Sequence, residues 1–161
     1  MITLIQCCEL LEQQKLKIAF IESASSGYLA SQFSIYKPNG SKILLGGLIS
    51  YDQSIKIEIL KIDPELIVQY SGASMQVTAA MAIQGKTLFV DADIIVSCTG
   101  LLKAGGSATA EKPVGTFFIC IQYLHQLHRF HYLLNGKPIE KLDALTNHIA
   151  LAIIQLLRNN K

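Results

Sequence analysis

The sequence predicts an α/β sandwich, and three observations carry that prediction. Segments with helical periodicity alternate with short apolar strands along the whole chain. Its 161 residues suit one domain with a full core. Finally, 50% of those residues are hydrophobic and the mean hydropathy is +0.35, far from the composition of a disordered chain. No internal repeat, low-complexity stretch or linker divides the chain, so residues 1–161 are expected to form a single domain.

Leu4, Cys7, Cys8 and Leu11 recur at i, i+3, i+4 and i+7, which predicts an amphipathic helix over 2–15. Residues 17–21 form a short apolar run with β-branched and aromatic side chains, as a buried strand requires. It ends in Glu22-Ser23-Ala24-Ser25-Ser26-Gly27, small residues that suit a tight turn into a helix beginning at Tyr28. Pro38-Asn39-Gly40-Ser41 is loop chemistry, and 43–51 reads as a second strand. Asp52 can cap a helix carrying Ile55, Lys56, Ile59 and Leu60. Pro64 suits the first turn of another helix, and Ser74 caps a third that runs to Leu88. A strand over 93–98 leads into a loop over 99–113. Strands over 115–123 and 129–134 follow, the latter ending at the turn signal Asn135-Gly136. From Pro138 a long helix carries Leu142, Leu145, Ile149, Ala152 and Leu156 on one stripe. Ile153, Ile154 and Leu157 widen that stripe, as either deep burial or a partner-facing side would.

Composition excludes several functions. Fourteen Lys plus Arg against twelve Asp plus Glu give a net charge of +2, with no concentrated basic patch, so nucleic acid is not an expected partner. The longest unbroken apolar run, 149–154, is far shorter than the roughly 18 residues of a membrane helix. The first residues lack the basic region of a signal peptide, and a cytoplasmic location is expected. Cys7, Cys8, Cys98 and Cys120 show no zinc-binding spacing and read as reduced, buried thiols. Of the four histidines, His125 and His131 could share a strand face while His128 points away, so no three ligands converge and no metal is expected.

Chemistry is expected where strands end. Glu22-Ser23, the stretch from Tyr51 to Lys56, and 99–116 all place small polar residues there. Separately, each has an ordinary structural reading as a helix cap, a surface ion pair or a loop. Together they suggest a nucleophile and its base, because a serine hydroxyl attacks only when a neighbour takes its proton, and a lysine can do so only with a lowered pKa. The start of a helix capped by Asp52 would disfavour the Lys56 ammonium, and partial burial between Tyr51 and Ile55 would act in the same direction. Gly105-Gly106 would offer unblocked backbone N–H groups to an oxyanion or a phosphate.

The same residues, in this order, resemble a known family. Glu22-Ser23-Ala24-Ser25-Ser26-Gly27 is similar to the E-S-C-T-G-G turn of the C-terminal domain of the competence/damage-inducible protein CinA, whose stand-alone members are nicotinamide-mononucleotide amidohydrolases. The likeness continues through Gly46-Gly47-Leu48-Ile49-Ser50-Tyr51, Lys56 and Gly72-Ala73-Ser74. It closes with Thr99-Gly100 and the specific block Glu111-Lys112-Pro113-Val114-Gly115-Thr116. It spans residues 4–157 and implies a three-layer α/β/α sandwich with a mixed sheet. The activity it implies is hydrolysis of the carboxamide of nicotinamide mononucleotide to nicotinate mononucleotide and ammonia, without metal or organic cofactor. By position, Ser23 resembles the nucleophile, Lys56 its base and Tyr51 a supporting hydroxyl. Glu22, Ser25, Gly27, Thr99, Gly100, Lys103, Gly105 and Gly106 fall where the family binds substrate. Where the family continues I-A-G-P after Thr99-Gly100, this chain has Leu101-Leu102-Lys103-Ala104. Lys103 could hold a substrate phosphate there. The altered loop also admits a second reading, a catalytically weakened member that binds a nucleotide or serves in assembly.

Two geometric expectations follow. The Ser23 hydroxyl and the Lys56 amine should lie within direct or one-water reach. The high apolar fraction predicts a homodimer or larger even assembly, with contacts from the last helix or from the strand over 115–123, taken as an edge.

Overall fold

The computed structural model describes residues 2–35 and 40–159. Strands β1 (Ile18–Glu22), β2 (Leu44–Ile49), β3 (Ile94–Gly100), β4 (Thr116–Tyr123) and β5 (Gln126–Leu133) form one sheet in the order β2-β1-β3-β4-β5. β1 runs parallel to both β2 and β3, whereas β3, β4 and β5 are successively antiparallel, so the sheet is mixed. Helices α1 (Ile2–Gln13), α2 (Tyr28–Ile35) and α6 (Pro138–Asn159) cover one face. The short helices α3 (Gln53–Glu58) and α4 (Pro64–Tyr70) and the longer α5 (Met75–Leu88) lie on the other side.

The two faces follow from the period of two along a strand. Ile18 and Phe20 point toward α1, α2 and α6, where Phe20 packs against Phe33 with ring centroids 4.9 Å apart. Ala19 and Ile21 point the other way, toward Ile67, Val77 and Met81. Covered on both sides, β1 is buried throughout and reads as an unbroken apolar run, while the edge strands β2 and β5 alternate.

Several predicted boundaries shift for identifiable reasons. β3 runs two residues past its predicted end, because Thr99 and Gly100 pair with Phe118 and Phe117 of β4. β5 begins three residues early, since Leu124 and His125 make the two-residue hairpin turn with φ of 49° and 62°, a left-handed role that asparagine and glycine usually fill. Asn135-Gly136 instead links β5 to α6. α3 stops at Glu58, so Ile59 is its cap rather than part of its face. Gly40 and Ser41 lie in a 3₁₀ turn over Gly40–Lys42, and Pro38 and Asn39 fall outside the described residues.

The broad apolar stripe of α6 is absorbed within the chain, with Ile153, Ile154 and Leu157 all buried in the core against α1 and the sheet. β4 is not an edge: it lies between β3 and β5, and the sheet's edges are β2 and β5. Among the described residues, no helix is long and apolar enough to cross a membrane. What the topology fixes for function is the convergence of three parallel strand ends, with Glu22 in register with both Ile49 and Cys98.

Candidate active site

Ser23 is the first residue beyond β1, and its N–H donates to the Cys98 carbonyl of β3 at 2.9 Å. The turn that follows is closed by the Ser26 N–H on the Ser23 carbonyl at 3.1 Å. Ser26 takes a left-handed φ of 51° although it is not glycine, a conformation that costs on the order of 1–2 kcal/mol. The Glu22 carboxylate compensates. One oxygen accepts from the N–H groups of Gly27 and Leu29 at 2.9 and 3.1 Å, and the other from that of Ala30 at 2.8 Å. These are otherwise orphaned donors at the start of α2, so Glu22 locks the turn carrying Ser23.

Lys56 comes from α3 and is only 3% exposed. Its Nζ lies 3.0 Å from Ser23 Oγ and also donates to the carbonyls of Ser50 and, at 3.4 Å, Tyr51. Burial lowers its pKa from the ordinary lysine value, partly opposed by the Asp52 charge. Asp52 caps α3 by accepting from the Ser54 N–H at 2.8 Å and its hydroxyl at 2.7 Å, and these bonds hold its carboxyl below the usual range. The expected helix-start effect on Lys56 does not apply, because α3 has only six residues and Lys56 sits in its last turn. Desolvation is the cause instead.

A cavity of about 770 Å³ opens over this pair. Of the residues predicted from sequence, Ser23, Ser25, Tyr51, Lys56, Gly100, Lys103, Gly105 and Gly106 line it. Tyr51 is 61% exposed at the rim and reaches Lys56 through its carbonyl, not its hydroxyl. Ser25 is buried beside the Cys98 thiol, which burial pushes up to about 12, with Ser25 only partly offsetting that rise. Gly100 is required where it stands, since a Cβ would fall 2.5 Å from the Phe117 ring and 2.7 Å from the Thr116 carbonyl.

Three predicted substrate-binding residues are not in the cavity wall. Glu22 is buried and engaged with α2, and Gly27 stands in the same contact with φ of 92°. Thr99 points to α5, its hydroxyl 2.8 Å from that of Thr78. These residues support the site from behind. His125 lies in the hairpin turn rather than on a strand face, while His131 stacks on Phe118 and His148 on Tyr132. Among the described residues, no group of three or more His, Cys, Asp or Glu could hold a metal ion.

Sequence reasoning missed two lysines. Lys112 donates to Ser71 Oγ at 2.7 Å and to the Ala73 carbonyl at 2.8 Å, joining the loop after β3 to the α4–α5 connection. Lys141, on α6, is buried and donates to the Leu102 carbonyl at 2.9 Å. Its signal was the spacing Lys141, Leu145, Ile149, which places a cation on a core-facing stripe.

The mixed five-stranded α/β domain thus sets a buried lysine against a serine at converging strand ends. Comparison with known proteins assigns the family. The CinA C-terminal domain family matches residues 4–157, and the chain belongs to that family. A CinA-like protein of Mycobacterium marinum is 38% identical over 105 residues, covering 65% of this chain and 24% of the relative. One of Chlorobaculum tepidum is 38% identical over 112 residues, 70% of this chain and 25% of the relative. The chain thus spans about a quarter of the length of these curated relatives. Among solved structures, a competence-damaged protein (CinA) superfamily protein of Klebsiella pneumoniae superposes with a TM-score of 0.89 at 18% identity, over 98% of this chain and 96% of that one. One from Escherichia coli gives 0.82 at 25% identity, over 96% and 88%.

Proposed function

We propose that the chain hydrolyses the carboxamide of nicotinamide mononucleotide to nicotinate mononucleotide and ammonia, using Ser23 as nucleophile and Lys56 as base. The single observation that carries this reading is the 3.0 Å contact between Lys56 Nζ and Ser23 Oγ at a lysine with a lowered pKa. The substrate is the one implied by the resemblance of the Glu22 turn and the Glu111–Thr116 block. When the amine is neutral, its two N–H bonds are taken by the carbonyls of Ser50 and Tyr51, which leaves the lone pair for the Ser23 proton.

In the proposed reaction, Ser23 Oγ attacks the carboxamide carbon and its proton passes to Lys56 Nζ. Gly105 and Gly106 line the cavity, and their backbone N–H groups are the proposed donors to the developing oxyanion. Lys56 returns the proton to the departing ammonia, leaving an ester on Ser23. Water then attacks that ester, with Lys56 again taking and returning one proton, and the carboxylate product leaves. Lys103, on the same wall, supplies a cation for the substrate phosphate. The test is incubation with nicotinamide mononucleotide: ammonia and nicotinate mononucleotide are expected in equal amounts, and the absence of both rejects the reading.

A further inference from the structure

We infer that Lys112 and Lys141 are positioning residues which pin the two limbs of the loop over 101–115, and thereby set how tightly the cavity holds its substrate. The inference rests on the amidohydrolase reading only for the identity of that substrate. The loop is closed at its stem by backbone bonds, Leu101 N–H to the Thr116 carbonyl at 2.9 Å and Gly115 N–H to the Leu101 carbonyl at 2.7 Å. Immediately beyond the stem, the Lys141 ammonium takes the Leu102 carbonyl. On the returning limb, Lys112 takes Ser71 Oγ and the Ala73 carbonyl. That limb is stiffened from within, as the Thr109 N–H donates to the Lys112 carbonyl at 2.9 Å and the Lys112 N–H to Thr109 Oγ1 at 3.1 Å.

Between these anchors lies the part of the loop that lines the cavity. Among the described residues, no hydrogen bond ties 103–108 to the body of the domain. Gly105 and Gly106 have φ of 105° and 68°, with nothing within 4 Å of where a Cβ would stand. The tip is therefore placed by its ends. Both anchors are charge-assisted donors to neutral acceptors with no carboxylate in the contact. At Lys141, 7% exposed, an apolar side chain would be buried more cheaply than an ammonium, so the charge is assigned to the loop carbonyl it holds. Lys112 holds the opposite wall as well, since Ala73 also lines the cavity. The pair therefore spans the opening from α6 to the α4–α5 connection.

The test compares Lys141→Met and Lys112→Met with the parent protein by amide hydrogen exchange and by ammonia release from nicotinamide mononucleotide. Faster exchange confined to 101–115 is expected, with protection of β1 and β3 unchanged. kcat/KM should fall on the order of tenfold, the size of one charged hydrogen bond, through a raised KM as Lys103 is held less firmly and a lowered kcat as Gly105 and Gly106 are. Lys141→Arg, which keeps a donor, should restore most of both. If Lys141→Met fails to fold, Lys112→Met alone decides. Unchanged loop exchange in a folded variant overturns the inference, as does an unchanged kcat/KM. If the parent protein releases no ammonia, the amidohydrolase reading fails and the exchange measurement alone decides whether the lysines hold the loop.

Discussion

Ser23 follows the fully buried strand β1 and Lys56 is the one buried residue of α3, whereas Lys103 to Ser107, across the same cavity, hang from two lysine anchors. On the first side, the β3 carbonyl of Cys98, three bonds to the Glu22 carboxylate and two carbonyl acceptors for Lys56 leave little freedom. On the second, the tip makes no hydrogen bond to the body among the described residues, and two adjacent glycines adopt left-handed angles in open space. The difference separates the proposed proton transfer, on the rigid side, from the contacts that the loop offers the substrate. A proton transfer over 3.0 Å needs fixed partners, while a wall that adapts to a substrate needs a fixed base and a free tip.

The largest effect should come from the rigid side. Lys56→Met should lower ammonia release by about 10²–10⁴-fold, as expected for loss of a general base, without loss of folding in a thermal melt. The same lysine sets the pH dependence. Because its folded pKa lies below the ordinary value of 10.5, activity should rise with pH through that depressed value as the amine becomes neutral. Stability should also rise between the depressed value and 10.5, since there the unfolded chain binds a proton that the folded one does not. Lys56→Met should flatten that part of a stability-against-pH series; an unchanged slope would point to another group.

Glu22→Ala probes the support of the nucleophile rather than the nucleophile. Leaving three N–H donors at the start of α2 without their acceptor should cost about 3 kcal/mol in denaturant unfolding, and activity should fall as the Ser23 turn loosens. The smallest effects sharpen the contrast between the two walls. Gly100→Ala forces a Cβ against the Phe117 ring and the Thr116 carbonyl and should cost about 1–3 kcal/mol. Gly105→Ala meets nothing and should cost about 1 kcal/mol, from its backbone angle alone. Equal losses would mean that the loop is as tightly held as the strand.

Local patterns in the sequence were enough to find the strands and the helices, because buried strands are apolar runs; they only suggested the Ser23–Lys56 pair where strands stop, and the resemblance to the family singled it out. The sheet order was not legible in the same way. That β4 is interior follows from pairing with β3 and β5, which composition does not encode. The hairpin at Leu124-His125 was hidden because neither residue is a usual left-handed turn former. Glu22 was read as touching substrate because it falls where the resembled family binds it; only the start of α2, folded back over it, reveals a cap. Lys112 and Lys141 were missed because their partners are backbone carbonyls and a serine hydroxyl 39 to 41 positions away.

The central claim is that Ser23 Oγ is the atom that attacks the carboxamide. Ammonia release from nicotinamide mononucleotide by Ser23→Ala, beside the parent protein and with folding verified by its thermal melt, tests it most directly. The account predicts release at the level of the protein-free control, because neither Lys56 nor the loop can form the ester without that hydroxyl. Release by the folded variant at the parent rate would contradict it, and would leave the 3.0 Å contact with Lys56 as a structural bond rather than a catalytic one.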